Sequence, residues 1–293
     1  MRMVISGNAR VCAIIGDPVE HSLSPVMHNA AFKKLGLDLV YMAFTVTPKE
    51  LKIAISDARV MGLKGLNVTM PHKNAVMSYL DDVDQMARNI GAVNTILSHD
   101  GRLIGYNTDG NGAIIAMQEN KIFPKGKKLI ILGAGGAAKA IAYQAAQDVE
   151  ELVILNRTPE KARKIAESLR RNYDKKVKIG KLSSTVLKEE LKTADILINA
   201  TSVGMYPNID RSPVPSDFLS PDLSVMDIVY NPITTKLLND AISIGAKVVS
   251  GIEMLIYQGS LAFEIWTNCL APVEVMRNAV LNQIKKNKVS IID

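Results

Sequence analysis

A lysine and an aspartate that each follow a predicted strand are the residues best suited to move a proton. Lys73 comes a few residues after the apolar segment 65–69, and Asp109 comes soon after the segment 102–106. Side chains at the carboxyl ends of strands in one α/β sheet converge on a single crevice. A lysine that is desolvated there and held by a carboxylate can donate and accept a proton. Considered alone, Asp109 would more simply cap or begin a helix.

The sequence around Lys73 favours a catalytic role. The segment LNVTMPHK predicts a strand that runs into Pro71 as the first residue of a helix, where a missing N–H costs nothing. Lys73 would then lie in the first turn, whose positive dipole disfavours a cation by about 0.3–1 kcal/mol. Departures from local rules are expected mainly at functional sites. We therefore expect the dipole to ease loss of the lysine proton and Asp109 to retain it.

A glycine-rich loop predicts a dinucleotide site in the middle of the chain. The segment GAGGAA at 133–138 follows the apolar strand 129–132 and opens an alanine-rich helix, which fits G-x-G-x-x-[GA]. The first glycine allows a tight turn, the second lets backbone N–H groups approach a pyrophosphate, and Ala138 permits close helix packing. The strand before it and the helix after it favour a dinucleotide over a merely tight turn.

The next strand indicates which dinucleotide binds. An NAD-selecting carboxylate is expected about twenty residues beyond the glycine loop, but the sequence there is Asn156-Arg157-Thr158. A guanidinium can clamp a 2′-phosphate through two hydrogen bonds, and Lys161 and Arg163 could add positive charge. The alternative is that Asn156 starts a turn while the basic residues decorate the next helix. We expect NADP rather than NAD.

Two serines near the amino terminus have two interpretations. Ser24 followed by Pro25 is typical of a helix start, with Ser24 as the N-cap and Pro25 as the first helical residue. This interpretation leaves Ser22 without a role. A helix N-terminus flanked by two hydroxyls can also bind a carboxylate, and both interpretations stay open.

The elements that would position these residues alternate between strand and helix. Predicted strands at 11–15, 41–46 and 65–69 are each followed by a predicted helix, from about Ser24, Pro48 and Pro71. Asp100-Gly101 predicts a hairpin turn that ends this sheet with an antiparallel pair. A second series then predicts a doubly wound parallel sheet. Its strands are at 128–132, 152–155, 177–179, 196–199, 225–228 and 247–249. The fold class is therefore α/β, with a mostly parallel amino-terminal sheet followed by a Rossmann domain.

Composition excludes several other classes of protein. The 293 residues are 47% hydrophobic and 22% charged, which is typical of a globular enzyme rather than of a disordered or fibrous chain. The net charge of +6 is dispersed, so we expect an anionic small substrate rather than a nucleic acid. The chain shows no targeting peptide and no continuous apolar membrane span. Cys12 and Cys269 lack metal-ligand or CxxC spacing, so no metal site is predicted and both are expected to be reduced thiols of a cytoplasmic protein.

Eight segments of the chain, in order, resemble the motifs of the shikimate dehydrogenase family. They are SLSP at 22–25, NVTMPHK at 67–73, GAVNT at 91–95, NTDG at 107–110, the glycine loop at 133–138, NRT at 156–158, YNP at 230–232 and GIEMLIYQ at 251–258. The resemblance implies reversible NADPH-dependent reduction of 3-dehydroshikimate to shikimate, in the pathway to chorismate and aromatic amino acids. It also implies a substrate-binding catalytic domain at 1–108, completed by helices at 252–293, and an NADP-binding domain at 109–251.

The resemblance implies a role for each matching residue. The catalytic pair would be Lys73 and Asp109. Substrate would be bound by Ser22, Ser24, Asn67, Thr69, Asn94, Tyr230 and Gln258. The pyrophosphate would lie on Gly133, Ala134, Gly135, Gly136 and Ala137, and the 2′-phosphate on Asn156, Arg157, Thr158 and Lys161. The nicotinamide side would be lined by Thr201, Ser202, Met205, Ile228, Gly251 and Met254.

Two alternatives remain at this point. One is an enzyme of the same scaffold that prefers quinate or uses NAD. The other is an NADP-binding regulator that has lost its chemistry, although a regulator has no need of a pair such as Lys73 and Asp109. The sequence allows a homodimer without indicating its interface.

Overall fold

The computed structural model describes residues 5–289, with side chains described for residues 5–287. These residues form two compact units. The first unit takes in the residues up to Thr108 and those from Gln258 onward, and the second unit is Asp109–Tyr257. The sequence-based boundary at 252 and the division at Gln258 both fall within one helix, Gly251–Thr267. Residues 1–4, on which the expectation of no targeting peptide partly rests, lie outside the described residues.

The first unit is built on a six-stranded mixed sheet. Its strands are β1 Arg10–Gly16, β2 Leu39–Thr45, β3 Gly65–Val68, β4 Asp82–Val83, β5 Thr95–His99 and β6 Arg102–Tyr106. Its helices in the first part of the chain are α1 Ser24–Leu35, α2 Leu51–Val60 and α3 Gln85–Ile90, with a short 3₁₀ helix at Ala75–Tyr79. The strand order is β2-β1-β3-β5-β6-β4.

The sheet of the first unit changes direction at its centre. β1 pairs in parallel with both β2 and β3, whereas β5 pairs antiparallel with β3 and with β6. Asp100 and Gly101 join β5 to β6 with φ values of +49° and +74°, which suit a tight hairpin. The predicted hairpin turn is therefore confirmed, but the sheet does not end with this antiparallel pair, because β4 pairs in parallel with β6 and forms the edge.

The predicted helix at Pro71 is wrong. Residues 70–74 form turns, the Met70–Pro71 peptide is cis, and only the 3₁₀ helix follows. The carbonyl oxygen of Lys73 accepts a hydrogen bond of 2.7 Å from the backbone N–H of Val93. That bond to a distant segment takes this carbonyl out of the i→i+4 pattern that an α-helix requires. Lys73 therefore does not lie in the first turn of an α-helix, and the predicted effect of a helix dipole on its proton is wrong.

One other predicted helix start is displaced, and the predicted start at Ser24 is confirmed with a different N-cap. The second helix begins at Leu51 rather than Pro48: residues 48–50 form a turn, in which the Glu50 N–H donates to the Thr47 carbonyl at 3.0 Å and the Glu50 carboxylate accepts from Thr47. Ser24 is the first residue of α1 and not its N-cap. The N-cap is Leu23, and the hydroxyl oxygen of Ser22 accepts from the Ser24 N–H at 3.2 Å. The Ser24 hydroxyl is consequently left for other contacts.

Each face of the first sheet has its own apolar core. On one face, Ile15 of β1 and Val68 of β3 pack with Ile55 of α2 in a single buried cluster. On the other face, Phe32 of α1 stacks on Phe263 at 5.5 Å between ring centroids. Two helices from the carboxyl-terminal part of the chain belong to this second face. They are the portion of α9 (Gly251–Thr267) from Gln258 onward, and α10 (Val273–Val289).

The second unit is a fully parallel, doubly wound sheet. Its strands are β7 Lys128–Leu132, β8 Glu151–Asn156, β9 Val177–Lys181, β10 Ile196–Asn199, β11 Ser224–Asp227 and β12 Val248–Val249. Their order is β12-β11-β10-β7-β8-β9. Its helices are α4 Asp109–Glu119, α5 Gly136–Ala145, α6 Pro159–Tyr173, α7 Ser184–Leu191 and α8 Lys236–Ser243. All six predicted strands are present, and the predicted α/β class with a Rossmann domain is confirmed.

Candidate active site

A row of buried polar side chains connects β2, β3 and β5 in the first unit. The Tyr41 hydroxyl donates to Asn67 Oδ1 at 2.6 Å. Asn67 Nδ2 in turn donates to the carbonyl oxygen of Asn94 at 3.1 Å and to Thr95 Oγ1 at 3.2 Å. Tyr41, Asn67 and Thr95 are all nearly inaccessible to solvent. The Asn67 amide is therefore held in one orientation by partners on both sides.

Asn94 continues this row. Its Nδ2 donates to Thr108 Oγ1 at 2.9 Å and to Gln258 Oε1 at 3.3 Å. Its Oδ1 accepts from the Thr108 N–H at 2.8 Å and from Thr95 Oγ1 at 2.9 Å. Three predicted substrate-binding residues, Asn67, Asn94 and Gln258, are thus joined by one hydrogen-bonded network.

The two serines are placed beside the same network. Ser24 is buried and its hydroxyl hydrogen-bonds Tyr41, while Ser22 is half-buried at the start of α1. Desolvation by burial raises the pKa of Tyr41 well above its usual value, so its hydroxyl keeps its proton and remains a donor. Tyr41 therefore links Ser24 to Asn67.

The candidate catalytic residues belong to different units. Lys73 is half-buried in the turn that follows β3 in the first unit. At the start of this turn, the backbone N–H of Thr69 donates to the Ile15 carbonyl at 2.9 Å. Asp109 begins α4 in the second unit and is 6% exposed. Low exposure strengthens the interaction of either group with a neighbouring charge.

The glycine loop leaves the start of α5 open. Gly133 has φ +109°, and a Cβ there would lie 2.7 Å from the carbonyl oxygen of Ala200, so a side chain is excluded. At Gly135 and Gly136, no described heavy atom apart from the adjoining residues and the backbone of the helix itself lies within 4 Å of where a Cβ would be. The backbone N–H groups at this helix N-terminus are thus accessible to an anion, which fits the pyrophosphate of a dinucleotide.

The end of β8 presents polar and basic groups to solvent. Asn156 is the last strand residue, and its Nδ2 donates to the Thr158 carbonyl oxygen at 2.8 Å. Arg157, Thr158 and Lys161 are exposed. Both the predicted turn and the predicted basic edge are present, and the two are compatible.

The predicted nicotinamide-side residues lie on two loops and the start of α9. Thr201 follows β10 in a turn closed by Asn199, whose Oδ1 accepts from the Thr201 N–H at 3.1 Å and hydroxyl at 2.7 Å. Ile228 follows β11, and its N–H donates to the Asn199 carbonyl at 3.0 Å. A Cβ at Gly251 would overlap the Ile228 carbonyl oxygen. The structure thus brings Thr201, Ile228 and Gly251 together, with Ser202, Met205 and Met254 nearby in the chain.

Family models match three parts of this chain. The shikimate dehydrogenase substrate-binding domain matches residues 14–96, and shikimate/quinate 5-dehydrogenase matches residues 117–214. The shikimate 5′-dehydrogenase C-terminal domain matches residues 251–281. Together the matched segments span more than half of the chain.

Individual relatives agree with these models over the full length. The shikimate dehydrogenase (NADP(+)) of Methanocaldococcus jannaschii is 49% identical over 97% of this chain and 100% of its own. A crystal structure of a shikimate dehydrogenase in complex with NADP+ has a TM-score of 0.91 and 48% identity, covering 96% of this chain and 98% of that one. The Listeria monocytogenes enzyme, in complex with shikimate and NAD, has a TM-score of 0.90 and 41% identity, covering 95% and 98% of the two chains.

The chain belongs to the shikimate dehydrogenase family. The motif residues are the ones that the sequence indicates. Two buried polar residues that hydrogen-bond to the candidate site, Tyr41 and Asp227, were not predicted from the sequence. Tyr41 was recognised only as part of a strand, and Asp227 only as part of another. Neither stands beside a glycine, a proline or a charge cluster that would have indicated its role.

Asp227 is the fully buried counterpart of Tyr41 in the second unit. Its Oδ1 accepts from Asn199 Nδ2 and from the Val229 N–H, both at 3.0 Å, and its Oδ2 accepts from the Thr235 hydroxyl at 2.7 Å. Burial raises the pKa of Asp227 to about 6, although the hydrogen bonds from these donors oppose the shift.

The described residues contain no helix that is long and apolar enough to cross a membrane.

Proposed function

We propose that this chain catalyses the reversible NADPH-dependent reduction of 3-dehydroshikimate to shikimate. The observation that carries the proposal is the network of Asn67, Asn94 and Gln258, an array of side-chain amides suited to a polyhydroxylated ring. A site built from fixed hydrogen-bonding groups rejects analogues that lack the matching hydroxyl, because its buried polar groups are then left unpaired. Full-length membership of the shikimate dehydrogenase family supports the same reaction.

Substrate binding is assigned to the first unit, with Tyr230 as a contribution from the second. The amides of Asn67, Asn94 and Gln258 would bind the ring hydroxyls, with Thr69 beside them. Ser22 and Ser24 stand at the N-terminus of α1, whose backbone dipole favours an anion, and would hold the carboxylate.

NADP would be held by the second unit. The open backbone of Gly135 and Gly136, flanked by Ala134 and Ala137, fits the pyrophosphate, and the exposed edge of Asn156, Arg157, Thr158 and Lys161 fits the 2′-phosphate. When bound, the cofactor supplies or accepts the hydride. Thr201, Ser202, Met205, Ile228, Gly251 and Met254 would line the nicotinamide side.

Proton transfer is assigned to Lys73 and Asp109. Reduction of the ketone requires a proton at the oxygen that becomes the hydroxyl, and oxidation of shikimate requires its removal. Lys73 would give or relay this proton, while Asp109 would hold the ammonium and share in the transfer.

The test is shikimate-dependent reduction of NADP by the purified chain, followed by NADPH absorbance. We expect NADPH to form in proportion to enzyme and only when shikimate is present. A chain that binds NADPH but never oxidises it with 3-dehydroshikimate would be the regulator instead of the enzyme.

A second candidate is a related dehydrogenase with relaxed cofactor use, favoured by the complex of the Listeria relative with NAD. Initial rates with shikimate and quinate, each with NADP and NAD, separate the two. The principal proposal requires the shikimate–NADP pair to have the highest kcat/KM.

We also propose a cytoplasmic homodimer. Edge strand β2 exposes Met42 and Phe44, at 45% and 41%, and a second copy that covers them would protect an unpaired sheet edge. Cys12 and Cys269 are free thiols, which supports a reducing compartment. Sedimentation of the purified chain should give the dimer mass, and a monomer mass at every concentration would contradict the assembly.

A further inference from the structure

Two neighbouring strands of the second unit end in a buried polar pair that the proposed chemistry does not use. Asn199 ends β10 and Asp227 ends β11, and both are inaccessible to solvent. They pair directly, because Asn199 Nδ2 donates to Asp227 Oδ1 at 3.0 Å. Burying polar side chains costs free energy unless their donors and acceptors are hydrogen-bonded. The hydrogen bonds of this pair therefore indicate which parts of the structure it holds in place.

Asn199 holds the loop after β10. Its Oδ1 accepts both the backbone N–H and the hydroxyl of Thr201, and its Nδ2 also donates to the Val203 carbonyl oxygen at 3.3 Å. The Thr201 hydroxyl then accepts from the Val203 N–H at 3.1 Å. This loop requires Asn199 to turn its Oδ1 toward Thr201 and its Nδ2 toward Val203. Asp227 sets that orientation, because an ionised carboxylate can only accept hydrogen bonds and therefore faces the NH₂ group of Asn199.

Asp227 holds the loop after β11 at the same time. It accepts from the Val229 N–H and from Thr235, which caps α8 by accepting from the Leu238 N–H at 3.3 Å. The two loops also bond to each other, since the Tyr206 N–H donates to the Asn231 carbonyl oxygen at 3.1 Å. One carboxylate therefore secures both loops that carry predicted nicotinamide-side residues.

The other end of the cofactor site is anchored by backbone bonds of the sheet rather than by the side chains of this pair. Gly133 is fixed by its N–H, which donates to the Leu155 carbonyl at 2.8 Å, and Ala200 is fixed by its N–H donating to the Leu132 carbonyl at 2.8 Å. These are backbone bonds between strands of the sheet. Removal of the Asp227 side chain leaves them in place.

We infer that Asn199 and Asp227 are a positioning pair that sets the nicotinamide end of the NADP site without setting its 2′-phosphate and pyrophosphate ends. The inference rests on the proposed function. Neither residue touches the reacting atoms; each acts through Thr201, Val203 and Val229, whose loops would hold the nicotinamide ring in its reactive geometry.

The experiment compares the whole cofactor with a fragment that lacks nicotinamide. For the Asp227→Ala variant, kcat/KM for NADP should fall about a hundredfold, as expected when reacting groups are misplaced by about an ångström. The dissociation constant of adenosine 2′,5′-bisphosphate, measured by calorimetry, should stay at the wild-type value. Asp227→Asn should recover most of kcat/KM, because the amide oxygen still accepts from Asn199 and Val229 while the Thr235 hydroxyl can turn to accept.

A matched control separates positioning from stability. Val225 lies on the same strand and is fully buried, but its side chain is apolar, so Val225→Ala should lower stability without changing either constant. If Asp227→Ala weakens the fragment as much as it lowers kcat/KM, or leaves kcat/KM unchanged, the inference is overturned. If Asp227→Ala does not fold, Asn199→Ala replaces it under the same criterion. A wild-type chain that binds neither NADPH nor the fragment would instead overturn the proposed function.

Discussion

The two units support their candidate ligand-binding residues by the same means but with chemically different anchors. In the first unit, the Tyr41 hydroxyl hydrogen-bonds the side chains of Asn67 and Ser24. In the second, the Asp227 carboxylate holds Asn199 and the loop at Val229. Both anchors are buried, yet the first is a neutral donor and the second an ionisable acceptor.

This difference follows from what each anchor must satisfy. Asn67 presents its amide oxygen to Tyr41 and so requires a donor, whereas Asn199 presents its NH₂ group and the loop presents a backbone N–H, so both require an acceptor. A carboxylate accepts several bonds at once but loses solvation on burial, which is why its pKa rises. The first unit should therefore bind its ligand with little dependence on the anchor's protonation, while the second unit carries a group that titrates near pH 6.

The largest effect is expected from acid on the first unit. His28 is buried with no hydrogen-bond partner for either ring nitrogen among the described residues, and it stacks on Tyr41 at 4.5 Å. Burial lowers its pKa to about 3, so the unfolded chain binds the proton more readily. Stability is thus lost as pH falls below 6.5, by about 1.4 kcal/mol per unit and about 5 kcal/mol in total.

Trp266 makes this prediction measurable in one unit. It is the only tryptophan of the chain, and it lies beside His28 at 5.2 Å between ring centroids. Urea unfolding followed by its fluorescence should show a smaller loss of stability between pH 7 and pH 5 in His28→Leu than in the wild type. Equal losses in the two proteins would show that His28 is not the acid-sensitive group.

Next in size is the loss of the proposed proton carrier. Lys73→Ala should lower kcat by a factor of about a hundred or more, the usual size of general acid–base catalysis. Because Lys73 belongs to the first unit, the dissociation constant of NADPH should not change. Lys52→Ala, which removes an exposed lysine from α2, is the control and should retain full turnover. Near-normal kcat in Lys73→Ala would refute its assignment.

The second unit should respond to pH with the opposite sign. The pKa of Asp227 is raised to about 6, so the folded chain binds the proton more readily than the unfolded one. The contribution of Asp227 to the stability of this unit is therefore greatest in acid and declines by about 3 kcal/mol as pH rises from 3.8 to 6. Hydrogen exchange of β10 and β11 amides, corrected for intrinsic rates, should show this decline in the wild type and lose it in Asp227→Asn. If protection in the wild type rose relative to Asp227→Asn over the same range, the burial of the carboxylate would be contradicted.

The smallest effect is expected at the exposed edge of the cofactor site. Lys161 is exposed, and interactions of exposed charges contribute only about 0–1 kcal/mol. Lys161→Ala should thus raise the KM for NADP by about fivefold at most and leave the KM for NAD unchanged. The difference should shrink further at high salt. A larger loss, insensitive to salt, would indicate that the side chain becomes buried against the phosphate.

Local patterns in the sequence were sufficient to predict the elements that are marked by short apolar runs or by glycine in a turn. The parallel strands of the second unit, the loop at Gly133 and the Asp100-Gly101 hairpin all follow from such patterns. The turn at Pro71 could not be predicted, because it depends on the bond between the Lys73 carbonyl and Val93, which lies on a distant segment.

Buried anchors were missed for a related reason. Tyr41 and Asp227 occupy ordinary strand positions. Only the fold shows that Tyr41 reaches an asparagine two strands away, across β1, and that Asp227 faces one on the neighbouring strand β10. His28 looks like any polar residue of a helix, and only packing reveals that its ring is enclosed by aromatic side chains. A polar residue in an apolar strand is therefore a weak signal until its neighbours are known.

The most direct test of the division of work between the units is calorimetric titration of two variants with both ligands. Tyr41→Phe leaves Asn67 Oδ1 without its donor and should weaken shikimate binding about tenfold, while NADPH binding is unchanged. Arg157→Ala should weaken NADPH binding about tenfold, while shikimate binding is unchanged. If either variant weakened both ligands equally, the assignment of substrate to the first unit and cofactor to the second would be wrong.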